Sequence, residues 1–179
     1  MLSLVKQYHI LKLKHKVKKL SKPRKRMAAL GIANKIGKYY IPFLDYDVKD
    51  RNLVYRDVCR LVLKYHLFGF AMRETKNGFH VIFPFNLCSK RLCERIVLES
   101  KCDDEFKLFT LVNGFSVLRV AGKSKLGTFE IYKNKKFNIN SFNSIIGKSI
   151  LEVFEMLEDI GNKVLKSGGT DGGIQNYQN

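Results

Sequence analysis

The chain has 179 residues, 45% of them hydrophobic and 12% aromatic, which is enough for one folded domain with a substantial core. Its 33 lysines and arginines against 16 acidic residues leave a formal net charge of +17, a field that favours nucleic acid over the mixed-sign surface solubility alone requires. The apolar runs are too short for a membrane span and too broken by lysine for an export signal, so the expected setting is cytoplasmic, without membrane contact, and the four cysteines read as thiols.

The basic residues crowd the start. Around "KQYHILKLKHKVKKLSKPRKR" the residues Leu4, Tyr8, Leu11 and Val17 keep roughly helical spacing, which predicts an amphipathic helix ended near Pro23. Lys12, Lys14, Lys16, Lys18, Lys19, Arg24, Lys25 and Arg26 make this segment suited to tracking phosphates. Residues 1–38 are therefore expected to form a basic N-terminal helix or arm, and residues 39–166 the folded domain. "SGGTDGGIQNYQN", residues 167–179, has the composition of a disordered tail.

Within the domain, "YYIPFLDYD" predicts a buried strand, with Pro42 placing its early part at a sheet edge. "RNLVYRDVCRLVLKYH" puts Leu53, Val54, Val58, Leu61, Val62 and Tyr65 on one helical face. "FGFAMRET" and "FHVIFPF" flank "KNG", a hairpin with Asn77-Gly78 at its turn. "SKRLCERIVLES" is a helix that Ser89 can cap. "FKLFTLV" and "FSVLRVA" read as a second hairpin around Asn113-Gly114, "GTFEIYKNKKFNI" as a further strand, and "SIIGKSILEVFEMLEDIGNKVLK" as a closing helix. The order predicts an α+β fold, RRM-like or ferredoxin-like, with an antiparallel sheet and helices packed on one face.

Asp45 and Asp47 stand one residue apart, so in a strand they point to the same face. Such a pair repels and is costly to desolvate unless a cation lies between. His80 alternates with Phe79 and Val81 and so faces solvent or a cleft, while Asp103 and Asp104 precede "EFKLFTLV". Arg119, Lys123 and Lys125 surround a glycine turn in "LRVAGKSKLGTFE". Paired carboxylates with a third from elsewhere can hold two hard cations for phosphoryl transfer, and an imidazole with basic groups can hold a triphosphate. The structural alternative for Asp45 and Asp47 is a strand-end turn ahead of a helix, a role for which Asp50 is better placed. Cys88, Cys93 and Cys102 are too loosely spaced for a zinc site, with Cys93 in a helical pattern, and are expected to be buried thiols.

In chain order, "FLDYD", "GFHVIF", "CDDEF" and "LRVAGKSKLG" resemble the motifs of the archaeo-eukaryotic primase, or primase–polymerase, superfamily, in the form found in plasmid and virus replication. The resemblance runs from about residue 40 to about residue 135. It implies a catalytic set of Asp45, Asp47 and His80, and Mg²⁺ or Mn²⁺ held by Asp45, Asp47 and Asp104, with Asp103 as the alternative third ligand. It implies that His80 contacts the phosphates of a nucleoside triphosphate, with Arg119 and Lys123 near the triphosphate or template. The partners implied are single-stranded or primed DNA, nucleoside triphosphates and a separate helicase. Gly78 departs from the family pattern, which usually has serine there. Two functions stay open: a small primase or polymerase, and a catalytically inactive RRM-like module that binds single strands through lysines and aromatic rings. A rolling-circle endonuclease would need two histidines one apart and a downstream tyrosine, and "FHVIF" has one histidine.

Overall fold

A computed structural model describes residues 30–121, 126–134 and 141–167. The expected basic helix with its lysines and arginines, Lys123, and all of the expected tail after Ser167 lie outside the described residues. The architecture is α+β. Its strands are β1 (Leu30–Ala33), β2 (Lys35–Ile36), β3 (Tyr39–Tyr40), β4 (Phe43–Tyr46), β5 (Gly69–Glu74), β6 (Phe79–Ile82), β7 (Val117–Ala121) and β8 (Glu130–Lys133). Its helices are α1 (Arg51–Lys64), α2 (Lys90–Glu99), α3 (Asp104–Asn113) and α4 (Ser141–Ser167).

The central sheet is antiparallel with order β4-β6-β5-β8, and β1 and β7 form a separate antiparallel pair. Strand alternation divides the central sheet into two faces. One carries Leu44, Tyr46, Val81 and Met72, all buried, beneath α1. There Phe70 stacks on Tyr132 at 4.7 Å, and Tyr55 of α1 meets both rings edge-on. The other face carries Phe43, Ile82 and Ala71 at one end and Asp45, His80 and Arg73 at the other. Helix α4 covers the apolar end, where Phe43 meets Phe154 edge-on at 5.6 Å.

The helices begin where their sequences supply a cap. The Asp50 and Ser89 side chains accept from the backbone N–H groups of Leu53 and Leu92, three residues on. Asp103 does the same for Phe106, and its successors Asp104 and Glu105 place negative charge in the first turn. This cap decides the fate of "FKLFTLV". The expected hairpin around Asn113-Gly114 is not formed; the segment is helix α3, and Gly114, at φ 71°, closes it as a left-handed C-cap. Phe106, Leu108 and Thr110 turn inward, while "FSVLRVA" supplies β7. Strand β7 finds its partner in β1, before the first expected strand, with Gly31 opposite Arg119.

The β5–β6 hairpin forms around "KNG", through a four-residue loop closed by Thr75. Thr75 N–H donates to the Gly78 carbonyl at 2.8 Å, and Gly78 N–H donates to Thr75 Oγ1 at 3.0 Å. The four cysteines are free thiols; Cys88 and Cys93 share a small cluster with Tyr40, and Cys102 lies in the main core. Among the described residues no helix is long and apolar enough to cross a membrane.

Candidate active site

Asp45, His80 and Arg73 form a row across the sheet. Register pairs Asp45 with His80 and His80 with Arg73, so the three side chains emerge side by side on one face. Arg73 is 2% exposed, and its buried charge is held by one carboxylate, one carbonyl and two aromatic rings. Its guanidinium donates to Glu158 Oε2 of α4 at 2.9 Å and to the Arg119 carbonyl at 2.7 Å. The Phe129 ring lies 4.5 Å from its centre and the Phe154 ring 5.8 Å.

Arg73 also sets the state of the histidine. Its Nε–H donates to His80 Nδ1 at 3.4 Å, which leaves the imidazole proton on Nε2. Burial, then the neighbouring charges of Arg73 and Arg119, push the His80 pKa down to about 3. His80 is therefore a neutral imidazole whose Nε2–H looks towards Asp45 Oδ1, 3.7 Å away.

Asp45 is the opposite case. Burial raises its pKa to about 6, and the charges of Asp47 and Asp103 add to the rise against a smaller opposing pull from Arg119. Asp103 is held close by the backbone, its N–H donating to the Asp45 carbonyl at 2.8 Å on the outer edge of β4. The third carboxylate at this edge is thus Asp103, which also caps α3. Asp104 sits in the first turn with a side chain 74% exposed and pairs with Lys107 at 3.3 Å.

Asp45, Asp47, His80 and Arg119 line a single cavity of about 390 Å³, together with Thr75, Asn77, Gly31 and Val117. Arg119 Nε is buried there with no hydrogen-bond partner among the described residues. Gly78, next in sequence to the lining residue Asn77, is glycine for a packing reason. A Cβ at that position would lie 1.8 Å from the Tyr46 carbonyl oxygen, so no side chain fits there. The hydroxyl nearest the turn is that of Thr75.

Four of the residues expected to act together therefore meet: Asp45, Asp47, His80 and Arg119. Sequence reading missed Arg73, although an arginine within the apolar run "FGFAMRET", two residues from Ala71, carried the signal of a charge forced inward. It also missed Glu158, which alternation cannot place because its partner is 85 residues away. The donor set is all hard oxygen, which suits Mg²⁺ or Mn²⁺, and the crowding of Asp45 by Asp47 and Asp103 is the electrostatic condition a divalent cation relieves. Among the described residues no three carboxylate, imidazole or thiol side chains already stand together as a metal cage. No protein-family model, curated protein or solved structure matches the chain.

Proposed function

We propose that this protein is a small metal-dependent nucleotidyltransferase of the primase–polymerase kind, extending a strand on a nucleic-acid template in the cytoplasm. The observation that carries the reading is the convergence of Asp45, Asp47, His80 and Arg119 on one cavity, where carboxylates able to take a cation stand beside an imidazole N–H and a guanidinium able to take an anion. A cavity for a neutral metabolite has no use for that division. A metal-bound triphosphate needs it.

In this reading Asp45 and Asp47 hold the divalent cation, with Asp103 beside them. The bound ion would neutralise charge on the phosphates and the attacking oxygen. A 3′-hydroxyl attacks the α-phosphorus and forms a new P–O bond. The bond to the β-phosphate oxygen breaks, pyrophosphate leaves with the electron pair, and the hydroxyl proton passes to solvent. His80, held neutral with its proton on Nε2, donates to a phosphate oxygen without competing with the metal for the carboxylates. The Arg119 guanidinium, with Nε free of described partners, supplies the fixed positive charge. Arg73 is a positioning residue that fixes the His80 tautomer.

The test is nucleotide incorporation on single-stranded and primed DNA with Mg²⁺ or Mn²⁺, comparing the wild type with Asp45→Ala/Asp47→Ala and recording DNA binding at matched salt. The expected result is metal-dependent product from the wild type, at least about a hundredfold less from the double variant, and equal binding by both. Tight, salt-sensitive binding without product from either protein overturns the enzyme in favour of the inactive single-strand-binding module.

A further inference from the structure

The two carboxylates that line the polar cavity also line a second depression, of about 680 Å³, on their other side. Its chemistry is different. Helix α3 and β7 wall it with Phe106, Leu108, Phe109, Val112 and Val117, and its charged groups besides Asp45 and Asp47 are Asp103 and Glu105. Phe109 is 44% exposed and Val112 is 67% exposed, so an aromatic ring and an isopropyl group face solvent beside an acidic cluster. Phe115 meets the Phe109 ring at 89° with centroids 6.1 Å apart, which holds the ring in place without burying it.

We propose that this depression is a nucleobase platform, with Phe109 as the stacking ring, and that it takes the base half of a nucleotide whose phosphates lie in the polar cavity. This rests on the functional reading above and adds to it the part of the substrate that the metal site cannot select. A nucleotide is a bipartite ligand, a polyanion joined through a sugar to a flat apolar heterocycle. The two cavities match that division and share Asp45 and Asp47 as their common wall. Charge assigns the halves. The polar cavity offers Arg119 and the His80 Nε2–H to phosphate, whereas Asp103 and Glu105 repel phosphate from the apolar side and leave a neutral base unopposed. The platform has a π face and no fixed row of donors, so stacking there tolerates every base, as templated synthesis requires.

The experiment is calorimetric titration of the full chain, in Mg²⁺, with ATP and separately with inorganic tripolyphosphate. Phe109→Ala is expected to weaken ATP about tenfold and to leave tripolyphosphate unchanged, while Phe109→Tyr retains ATP binding. Equal weakening of both ligands, or an unchanged ATP affinity in Phe109→Ala, overturns the platform. The incorporation assay separates this from the enzyme itself. Incorporation with a KM indifferent to Phe109→Ala overturns the platform and leaves the polymerase reading standing. Phe109-sensitive ATP binding without any incorporation by the wild type does the reverse. Failure of the wild type to bind ATP at all overturns both.

Discussion

Asp57 and Asp45 are two aspartates of one sheet-and-helix layer with opposite surroundings. Asp57, on α1 and 4% exposed, accepts from the Tyr46 hydroxyl at 2.9 Å, from Arg60 Nε and Nη2 at 3.1 and 2.7 Å, and from Lys101 N–H at 2.6 Å. Asp45, on the strand that also carries Tyr46, has a side chain 35% exposed and no donor within hydrogen-bond distance among the described residues. Asp47 and Asp103 crowd it with like charge, against a smaller opposing pull from Arg119. A charge surrounded by donors is finished by its own protein and holds the fold together. A charge crowded by like charges is left unfinished by its own fold, which bears the cost, and in the proposed function a divalent cation would relieve it.

That contrast can be broken by substitution, and the largest effect is expected at Asp57. Asp57→Ala strands the Tyr46 hydroxyl, the Lys101 N–H and one arm of Arg60, and should cost about 3 kcal/mol of stability in urea or thermal unfolding. A loss no larger than that of a surface substitution would place Asp57 in the same class as Asp45. Asp45→Asn is expected to act in the opposite direction on stability while abolishing incorporation. Because the folded-state pKa of about 6 lies above the ordinary 3.8, the wild type holds its full stability below about pH 3.8 and loses part of it as pH rises through 6. The asparagine variant keeps the uncharged form at every pH. It should therefore melt higher than the wild type above pH 6, with the difference closing below pH 4, and millimolar Mg²⁺ should stabilise only the wild type. An Asp45→Asn protein that melts lower at pH 7 would show that the carboxylate has a donor after all. The smallest expected effect sharpens the other side: Tyr46→Phe removes one of Asp57's donors and should cost about 1 kcal/mol without altering DNA binding.

The legible parts of this chain were those where periodicity and local chemistry agreed. Ser89 before "KRLCERIVLE", the alternation of "FHVIF" and Asp45 of "FLDYD" each pointed to the element and face that the structure has, while Asp47 lies just past the end of β4. "FKLFTLV" failed for a physical reason. Its phenylalanines, valine and threonine favour strands, and a Asn-Gly pair follows as if to turn a hairpin. The first-turn acids and the Asp103 cap outweigh that local preference, and the same Gly114 serves a helix end as readily as a turn because both need positive φ. Gly78 misled in a subtler way. It looked like a turn glycine and like a missing serine, but its requirement comes from a carbonyl more than 30 residues away in sequence, that of Tyr46, which no local pattern encodes. Asp103 rather than Asp104 at the edge of β4 is likewise a matter of one backbone hydrogen bond between distant segments. Local rules reached the strand ends; the third dimension decided which neighbours they met.

The contact between Arg73 and Glu158 has a consequence for how the protein is made. Eighty-five residues separate the guanidinium from the carboxylate that neutralises it, and Phe129 and Phe154, the rings that enclose it, also follow it in the chain. On the ribosome, the sheet strands emerge first and must wait with an uncompensated charge on a face that is otherwise closing. The proton on His80 acquires its fixed address only when the last helix docks. Synthesis through residue 158 therefore precedes the ordered row of Asp45, His80 and Arg73, and a nascent fragment ending before residue 154 would lack the contacts that hold Arg73 against His80.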